Sequence, residues 1–419
     1  MGSKLCCTLL VLTALAPALA AQNDATATLK GTTLTIKGSA GVDDLTLSNP
    51  VGIADGDAPV PVDIVVTPGK GSTLNGSTDP APFSGVLKLK LLLGDGSDVL
   101  DMQDFDFSLN PVTLNAGPGD DHVTLTNTTT GDFKFIGSSG NDTFELTGSH
   151  LEFTKVTGAS GVLTMPATST YFKQLQLVSG PETDVLNWTG VTVDFHFKLN
   201  VGAGNDVMNF SNIIVGNQTT LKFGPGNDHF ADDAGTYGEF VNVVASSGDD
   251  EVVFEDSLVG NALNVKLGSG QNELTLRGQD EQMTVGNSAT FTGGSALDTV
   301  SLVATLHAVI FGNNLIVALK AGANELESIG DVSTGDDLRY TGGGLDDVVD
   351  LNQFDVGSDA NIVLKGGTND VILTDCEVGN DLRITAGSGD DTVQFLGTTA
   401  ESIGGNILIN LGSGNDISP

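Results

Sequence analysis

The sequence predicts an all-β fold: a single-stranded parallel β-helix, or solenoid, right-handed, with three short strands in each coil of about 22 residues. Three observations support this prediction. A glycine-aspartate cluster recurs at nearly constant spacing, apolar residues alternate with a period of two on both sides of each cluster, and a second glycine recurs at a fixed offset within the repeat.

The glycine-aspartate clusters are exemplified by Gly94–Asp98, Gly202–Asp206 and Gly387–Asp391. The last residue of each cluster is called the slot, and from Asp98 onward successive slots lie 21 to 26 residues apart. Such a period is typical of a repeat architecture. The sixteen predicted slots are Asp43, Asp98, Asp121, Asp142, Leu163, Asp184, Asp206, Asp228, Asp250, Asn272, Asp298, Asn324, Asp347, Asp370, Asp391 and Asp416.

The residues around each slot alternate between apolar and polar. Positions seven and five before a slot are usually apolar, as are positions two and four after it; Leu221 and Phe223 precede Asp228, and Val252 and Phe254 follow Asp250. Alternation with period two predicts strands with one buried face. Each coil is therefore expected to hold two such strands, joined by the glycine turn.

A second bend recurs about thirteen residues before the next slot, as in Val215-Gly216-Asn217 and Val259-Gly260-Asn261. This bend adds a third short strand to the coil. One coil cannot bury its own apolar face, so the fold is predicted to exist only as a stack of coils.

The chain divides into three predicted parts. Residues 1–20 have the layout of a secretory signal peptide: Lys4, a short apolar run, and small residues at Ala18 and Ala20. Residues 21–90 are expected to hold a first coil with an inserted Pro/Gly-rich loop or cap. Residues 91–419 are expected to form the solenoid, which ends without an evident cap, so end-to-end self-association through that end is expected.

Composition narrows the expected partners. The 53 acidic residues outnumber the 17 basic ones and give a formal net charge of −36, which disfavours nucleic acid and anionic lipid. No apolar run after the leader is long enough for a membrane span. Export predicts a secreted, extracellular or cell-surface location, and the expected partner is an extracellular polysaccharide or a cell surface.

The Gly-x-Gly-x-Asp turns resemble the haemolysin-type (RTX-like) calcium-binding repeat, most closely at Gly202–Asp206, Gly387–Asp391 and Gly412–Asp416. Repeats of that family run in tandem every nine residues, whereas here one turn occurs in each coil. The resemblance implies calcium-dependent folding outside the cell.

The charge of the slots supports calcium independently. In a parallel stack the slot carboxylates are expected to lie about 5 Å apart, where they repel one another. A hard cation that prefers oxygen would neutralise the column. The alternative is that Asp only closes a tight turn by accepting backbone N–H groups. The predicted calcium ligands are Asp98, Asp121, Asp142, Asp206, Asp228, Asp250, Asp391 and Asp416.

Two classes of function remain open. The first is a secreted, non-enzymatic extracellular scaffold or adhesin-like rod. The second is a carbohydrate-active β-helix enzyme, either a polysaccharide lyase or a hydrolase. The sequence offers no set of catalytic residues, and the best candidate for a groove is the less regular stretch 150–190, which contains Tyr171 and Trp188.

Overall fold

The computed structural model describes residues 23–49, 60–107, 109–158, 161–397 and 402–419. Within these residues the regular structure is entirely β-strand, and parallel strands of successive coils stack about 22 residues apart into a β-solenoid of about 14 turns. The predicted fold class is confirmed. The predicted signal peptide at residues 1–20 lies outside the described residues.

Sheet 1 is built from the strands that follow the slots. Successive strands pair in parallel without a shift of register, as where Val207 pairs with His229 and Met208 with Phe230. The strands of sheet 1 are Asp44–Ser48, Val99–Gln103, His122–Thr126, Asp142–Thr147, Leu163–Thr168, Val185–Thr189, Val207–Ser211, His229–Asp233, Glu251–Glu255, Asn272–Gly278, Asp298–Ala304, Glu325–Ile329, Val348–Asn352, Asp370–Thr374 and Thr392–Leu396.

Sheet 2 contains the short strands of the second bend. The glycine after most of these strands donates its N–H to the preceding coil, as Gly260 does to the carbonyl of Tyr237 at 2.7 Å, which confirms the predicted bend; after Thr192–Val193 this residue is Asp194. The strands of sheet 2 are Thr129–Thr130, Thr192–Val193, Ile214–Val215, Thr236–Tyr237, Leu258–Val259, Met283–Val285, Val309–Phe311, Val332–Thr334, Phe354–Val356, Glu377–Val378 and Ser402–Ile403.

Sheet 3 contains the strands that lead into each glycine turn. Two longer strands, His150–Thr157 and Tyr171–Val178, pass through both sheet 2 and sheet 3. The other strands of sheet 3 are Thr33–Lys37, Lys88–Leu92, Val112–Gly117, Phe133–Gly137, Phe197–Asn200, Thr219–Lys222, Val241–Val244, Leu263–Lys266, Ala289–Thr292, Leu315–Ala318, Leu338–Thr341, Ala360–Val363, Leu382–Thr385 and Ile407–Asn410.

The N-terminal end of the stack differs from the rest because it contains antiparallel pairs. Asp24–Lys30 pairs with Thr33–Lys37, and Val62–Pro68 pairs with both Asp44–Ser48 and Ala81–Val86. The remaining strand of this region, Thr73–Leu74, pairs in parallel with the first strand. Strands therefore occupy part of the region in which the sequence suggested an inserted loop or cap.

Sheets 1 and 3 face each other across the core. Phe144 of sheet 1 stacks on Phe133 and Phe135 of sheet 3, with ring centroids 5.6 and 4.6 Å apart. The inward side chains at the predicted positions are almost fully buried, as at Leu221 and Val252. Because the two sheets share one apolar interior, their outward faces point in opposite directions.

Glycine at the turn allows neighbouring coils to approach closely. Gly248 has φ 135°, a conformation that side chains disfavour. A Cβ atom there would lie 1.8 Å from the carbonyl oxygen of Gly226 in the adjacent coil. The next turn repeats the arrangement with Gly270 above Gly248. The glycines are therefore required for stacking as well as for the bend.

We expect Phe144→Ala to lower the free energy of unfolding by about 3–5 kcal/mol, because it removes a buried ring from between two others. Chemical denaturation followed by circular dichroism measures the change. Phe195→Ala is the matched control, since Phe195 is 46% exposed, and its effect should be within about 1 kcal/mol. Equal effects of the two variants would contradict the packing described for this core.

Candidate functional site: a buried aspartate ladder

The slot side chains lie inside the rod, at the edge where the glycine turn leads into sheet 1. Asp98 and Asp206 have no exposed surface, and Asp142 is 5% exposed. The glycine turn ends at the slot, and the strand of sheet 1 follows directly. The first inward position of that strand lies two residues after the slot, so the period of two points the slot inward as well. The slots therefore form a buried column of carboxyl and amide groups that runs along the rod.

Each slot is hydrogen-bonded to the next coil through its own backbone. The N–H of Asp98 donates to Oδ1 of Asp121 at 2.8 Å, and the N–H of Asp184 donates to Oδ1 of Asp206 at 2.8 Å. The same bond recurs along the chain as far as Asp416, whose Oδ1 accepts from Asp391 at 3.1 Å; the exceptions are Asp142 and Asn272, whose N–H groups donate to backbone carbonyls of the next coil. The arrangement is called the inner ladder. Each of its side chains fixes the turn of the coil before it.

One predicted slot is wrong by one residue. The ladder position between Asp347 and Asp391 is Asn369, which accepts from the N–H of Asp347 at 3.0 Å and donates its own N–H to Asp391 at 3.0 Å. Asp370 instead begins a strand of sheet 1 and is half-buried. The inward positions two and four after Asn369, Val371 and Leu373, fit the alternation seen in other coils.

The slot at Leu163 interrupts the side-chain ladder for one coil. Leucine offers no acceptor, so the N–H of Asp142 donates to the carbonyl of Val162 at 2.7 Å. Leu163 still donates its own N–H to Oδ1 of Asp184 at 2.6 Å, and its side chain is buried. The stack therefore continues through this coil with a backbone bond in place of the carboxyl group.

The second oxygen of a slot Asp has a partner where the residue five positions earlier is glycine. Oδ2 of Asp298 accepts from the N–H of Gly294 at 2.7 Å, and a Cβ on Gly293 would lie 2.2 Å from that oxygen. Glycine at this position therefore makes room for the carboxylate. Asp43 and Asp347 are held in the same way, at 2.5 and 2.7 Å.

Where a larger residue stands five positions earlier, the second oxygen is buried without a hydrogen-bond partner among the described residues. Leaving a charged oxygen unpaired away from water is costly. The residues with such an oxygen are Asp98, Asp121, Asp184, Asp206, Asp228, Asp250 and Asp391.

At the slots occupied by asparagine, the side-chain Nδ2 takes the place of the second carboxylate oxygen, and its hydrogen bonds show which atoms surround that position. Nδ2 of Asn272 donates to the carbonyl of Gly270 at 3.0 Å and to Oδ1 of Asp298 at 2.8 Å. Nδ2 of Asn369 donates in the same way to Oδ1 of Asp391 at 2.7 Å. An ionised Asp at an equivalent slot would place a negative oxygen against other oxygens. Neutralisation by a proton or by a cation would remove that repulsion.

Burial is the main cause of raised pKa values along the inner ladder, and neighbouring carboxylates add to the rise at several rungs. Desolvation raises the pKa of Asp121 to about 7 and of Asp206 to about 8, where the charges of the adjacent slots contribute. The same cause raises the pKa to about 6 at Asp98, Asp142, Asp184 and Asp250.

The distribution of Asp and Asn along the inner ladder is uneven. Asp184, Asp206, Asp228 and Asp250 are consecutive rungs, so carboxyl groups follow one another directly. From Asn272 to Asp391 the rungs alternate between Asn and Asp. An amide then separates successive carboxyl groups, and repulsion between neighbouring rungs is concentrated in the N-terminal part of the ladder.

An outer ladder runs beside the inner one and was not recognised from the sequence. It uses the residue directly before the slot, and its bonds run in the opposite direction along the rod. Oδ1 of Asp120 accepts from the N–H of Asn141 at 2.8 Å, and Oδ1 of Asp249 accepts from the N–H of Gln271 at 2.8 Å. The recurrent Asp or Asn at this position is the sequence signal for it.

The eight predicted calcium ligands all lie on the inner ladder, with Asp416 at its exposed end. One oxygen of each accepts a backbone N–H from the preceding coil, as expected for a turn-forming Asp. The second oxygens and the nearby carboxylates of the outer ladder are of the kind that calcium binds. Calcium binding at these residues stays a prediction.

The stretch considered for an enzymatic groove is regular. Trp188 is buried, and its Nε1 donates to the carbonyl of Met165 at 2.9 Å. Tyr171 lies on the outside, where its ring packs on His150 and its hydroxyl donates to Asp194. In the described part of this stretch the strands of adjacent coils pair in register, and Tyr171 and Trp188 are used in packing and hydrogen bonding.

A buried carboxyl group also lies within the core. Asp232 occupies an inward position of sheet 1 between Phe210 and Phe254 and accepts a hydrogen bond from Oγ of Ser257 at 2.8 Å. Its removal from water raises its pKa to about 7. The apolar alternation of the sequence is broken by Asp232, which is the signal that could have identified it.

Nearby, Asp233, Glu255 and Asp256 bring carboxylate oxygens within 4.8 Å of one another. Asp256 already accepts the N–H groups of Gln279 and Asp280, at 2.6 and 2.9 Å. Its carboxylate closes the corner between sheets 1 and 2 where the coil lengthens. The cluster is thus accounted for in part by local chain geometry.

Comparison of the chain with protein-family models, with curated proteins and with solved structures gives no significant match. Among the described residues, no helix has the length and apolar character needed to cross a membrane.

We expect the rod to lose stability as the pH rises from about 4 to about 8. The folded-state pKa values of Asp121 and Asp206 exceed the ordinary value of 3.8. Their stabilising contribution is therefore complete below that value and is lost as the pH rises through about 7 and 8. Thermal unfolding in calcium-free buffer at several pH values measures this trend.

Hydrogen exchange, corrected for the intrinsic effect of pH, provides an internal control for the same trend. Protection should fall more in the coils of residues 184–250, where carboxyl rungs are consecutive, than in those of residues 272–391. A uniform loss along the rod, or a stability that increases with pH over this range, would contradict the description of the ladder.

We expect Asp206→Asn to raise the free energy of unfolding at pH 8 by about 1–3 kcal/mol, since an amide supplies the donor that the buried oxygen lacks. At pH 5 the effect should be small. Asp206→Ala should be destabilising at both pH values because it removes the acceptor for Asp184. Asp249→Asn, on the outer ladder, is the control, and denaturation midpoints give the comparison. Destabilisation by Asp206→Asn at pH 8 would show that the rod uses the charged form.

Proposed function

We propose that the protein is an exported, non-enzymatic scaffold: an adhesin-like rod whose coils are fastened internally by the inner ladder. The observation that carries this proposal is the continuity of the stack, in which successive coils are hydrogen-bonded at the slots from Asp43 to Asp416, through side chains or, at Asp142, through a backbone carbonyl. The polar groups of the repeat are used mainly to connect one coil to the next. Such a construction favours length and rigidity.

The dimensions support a rod. Coils related by parallel pairing lie about 4.8 Å apart, so about 14 turns extend over roughly 65–70 Å. The single cysteine of the described residues, Cys376, is buried and forms no disulfide. Apolar burial and the ladders therefore provide the stability that an exported protein often obtains from disulfides.

The alternative of a carbohydrate-active enzyme has less support. A glycoside hydrolase needs two carboxyl groups that face a shared groove. The recurrent carboxyl groups of this chain accept backbone N–H groups at the turns, and the stretch 150–190 continues the regular stack. These features favour a structural role for most of the acidic residues.

We propose calcium as the cation that neutralises the ladder when protons do not. The N-terminal runs of carboxyl rungs supply unpartnered inner oxygens, and the outer carboxylates, such as Asp120 and Asp249, lie one residue away along the chain. At a pH above the pKa values of the ladder, a divalent cation would relieve repulsion that protons relieve under acid conditions.

We expect calcium to raise the melting temperature at pH 8 and to have little effect at pH 5, where protons occupy the ladder. Linkage gives about 2.7 kcal/mol for one site at a hundredfold excess over the dissociation constant. Calcium, magnesium and chelator should be compared at both pH values. If calcium and chelator give identical melts at pH 8, calcium is not a ligand and the slots act only in turns.

The scaffold role has separate readouts. Small-angle scattering and sedimentation of the mature protein should give an elongated particle, and incubation with polysaccharides should release no reducing or unsaturated ends. Release of such ends, abolished by a single surface substitution but not by changes in the ladder, would favour the enzyme.

A further inference from the structure

The basic residues of this acidic protein are concentrated on one face. The outward side chains of sheet 3 lie eight and six positions before each slot, from Lys90 to Asn410. Although the chain contains 53 acidic residues, this face contains no Asp or Glu. Eight of its side chains are basic: Lys90, Lys134, Lys155, Lys198, Lys222, Lys266, Arg339 and Arg383. It is called the basic face.

The lysines of the basic face are exposed and have no acidic partners. Among the described residues, no carboxylate forms an ion pair with Lys134, Lys155, Lys198 or Lys222. By contrast, Lys173, which lies outside these two columns, pairs with Glu152 at 2.8 Å. The positive charge of these lysines is therefore available to a ligand, whereas Arg339 and Arg383 pair with Asp337 and Asp381 at 2.9 and 3.0 Å.

The face is arranged as two columns in register. Lys134 pairs with Lys155, Lys155 with Gln176, and Gln176 with Lys198 in successive coils. Neighbouring positions in a column are therefore about 4.8 Å apart. Amide and hydroxyl side chains interrupt the charges, as Gln176 does here.

A shallow depression of about 390 Å³ lies in the centre of this region. Its lining combines two ammonium groups with carboxamide and hydroxyl groups and with one apolar side chain. The side chains that face it are those of Gln176, Val178, Lys198, Asn200, Thr220 and Lys222.

The opposite face has the opposite charge. The outward positions of sheet 1 between residues 229 and 374 carry one Arg and many carboxylates. Burial and, in addition, repulsion from neighbouring carboxylates raise the pKa values of Glu325 and Asp350. The acidic residues on these positions are Asp233, Glu251, Glu255, Glu273, Glu325, Glu327, Asp350 and Asp370.

We propose that the basic face, centred on Lys134–Lys222, is a binding surface for a linear anionic polysaccharide that lies along the axis of the rod. A straight array of cations matches the repeated carboxylate or sulfate groups of an extended polymer. The interspersed amide and hydroxyl groups can exchange hydrogen bonds with sugar hydroxyls. The inference names a partner for the proposed scaffold and rests on that proposal.

A polymer fits this face better than a second copy of the chain. A second copy would bring a formal charge of −36, and its acidic face is centred on coils later in the rod than the unpaired lysines. A slender polymer can contact the basic face alone. Salt weakens the repulsion between this polymer and those carboxylates of the protein that lie farther away than a Debye length of about 8–10 Å.

The test measures binding of the folded, mature protein to polygalacturonate and to dextran sulfate, in chelator and at low and moderate salt, with neutral dextran as the blank. The face variant is Lys155→Ala/Lys198→Ala/Lys222→Ala. Its matched control, Lys70→Ala/Lys320→Ala/Lys365→Ala, removes the same charge from exposed positions off the face. Circular dichroism and sedimentation establish that each variant is still a folded rod.

We expect the natural protein and the control variant to bind both anionic polymers, and the face variant to bind at least tenfold more weakly. Gln176→Ala/Asn200→Ala should also weaken binding without altering its salt dependence, since it removes polar contacts but no charge. Preference for one of the two polymers identifies carboxylate or sulfate as the recognised group.

Four outcomes would overturn the proposal. The first is that the natural protein binds neither polymer at low salt. The second is that the face variant and the control variant lose the same amount of polymer binding. Equally tight binding of double-stranded DNA would indicate that the lysines bind any polyanion by charge alone. Self-association lost only in the face variant, without polymer binding, would assign the face to a second copy. Each result leaves the scaffold proposal to its own readouts, because rod shape and lack of polysaccharide cleavage are measured separately.

Discussion

The hydrogen bond from a slot N–H to the side chain of the next slot is the interaction on which the rest of the structure depends. It joins coils at the one edge where sheets 1 and 3 converge, as between Asp206 and Asp228 at 2.8 Å. The bond fixes the position of each turn relative to the next one along the axis of the rod. The glycines of the turn make that position attainable, because a Cβ on Gly226 would lie 1.5 Å from the carbonyl of Gly204. Parallel pairing of the strands and stacking of the core then follow in register.

Much of the fold could be predicted because the repeat places chemically distinct residues at fixed offsets. Apolar residues such as Val252 and Phe254 mark the inward positions, and Gly260 marks the second bend. The remaining corner was missed. It lies six residues after the slot, where Asn212, Ala234 and Asp256 all adopt positive φ, so no single residue type identifies it. A position defined by backbone shape and occupied by several residue types leaves a weak signal in one sequence.

The candidate site was predicted in position but not in structure. An aspartate that closes a turn and one that binds a cation look alike in sequence, and the inward direction of the slots could not be decided from spacing. Asn369 was assigned one residue too late, because the adjacent Asp370 supplies the aspartate of the pattern and Gly366 its first glycine, although Thr368 stands where the second glycine belongs. Asn369 is distinguished from Asp370 as the slot because the inward residues Val371 and Leu373 lie two and four positions after it.

Asparagine at some slots explains how one column can contain many acidic residues and remain buried. In the C-terminal part, Asn272 donates to Asp298 at 2.8 Å, and Asn369 donates to Asp391 at 2.7 Å. Each amide therefore both separates two carboxyl groups and donates a hydrogen bond to one of them. In the N-terminal part, Gly38 leaves room for the carboxylate of Asp43, whose Oδ2 accepts the N–H of Ser39. The consecutive carboxyl rungs from Asp184 to Asp250 have neither arrangement, with larger residues five positions before them.

The formal charge of the chain is therefore a poor guide to its surface. The value of −36 counts every Asp as ionised, yet burial raises the pKa of Asp121 and Asp232 to about 7 and that of Asp206 to about 8. At neutral pH part of this charge is cancelled by protons held inside the rod. What a partner encounters is the outward side chains, and these are divided between an acidic sheet 1 and a basic sheet 3. The same alternation that buries every second residue in the core leaves the intervening ones free to differ in charge, so one repeat can maintain the stack and present two chemically different faces.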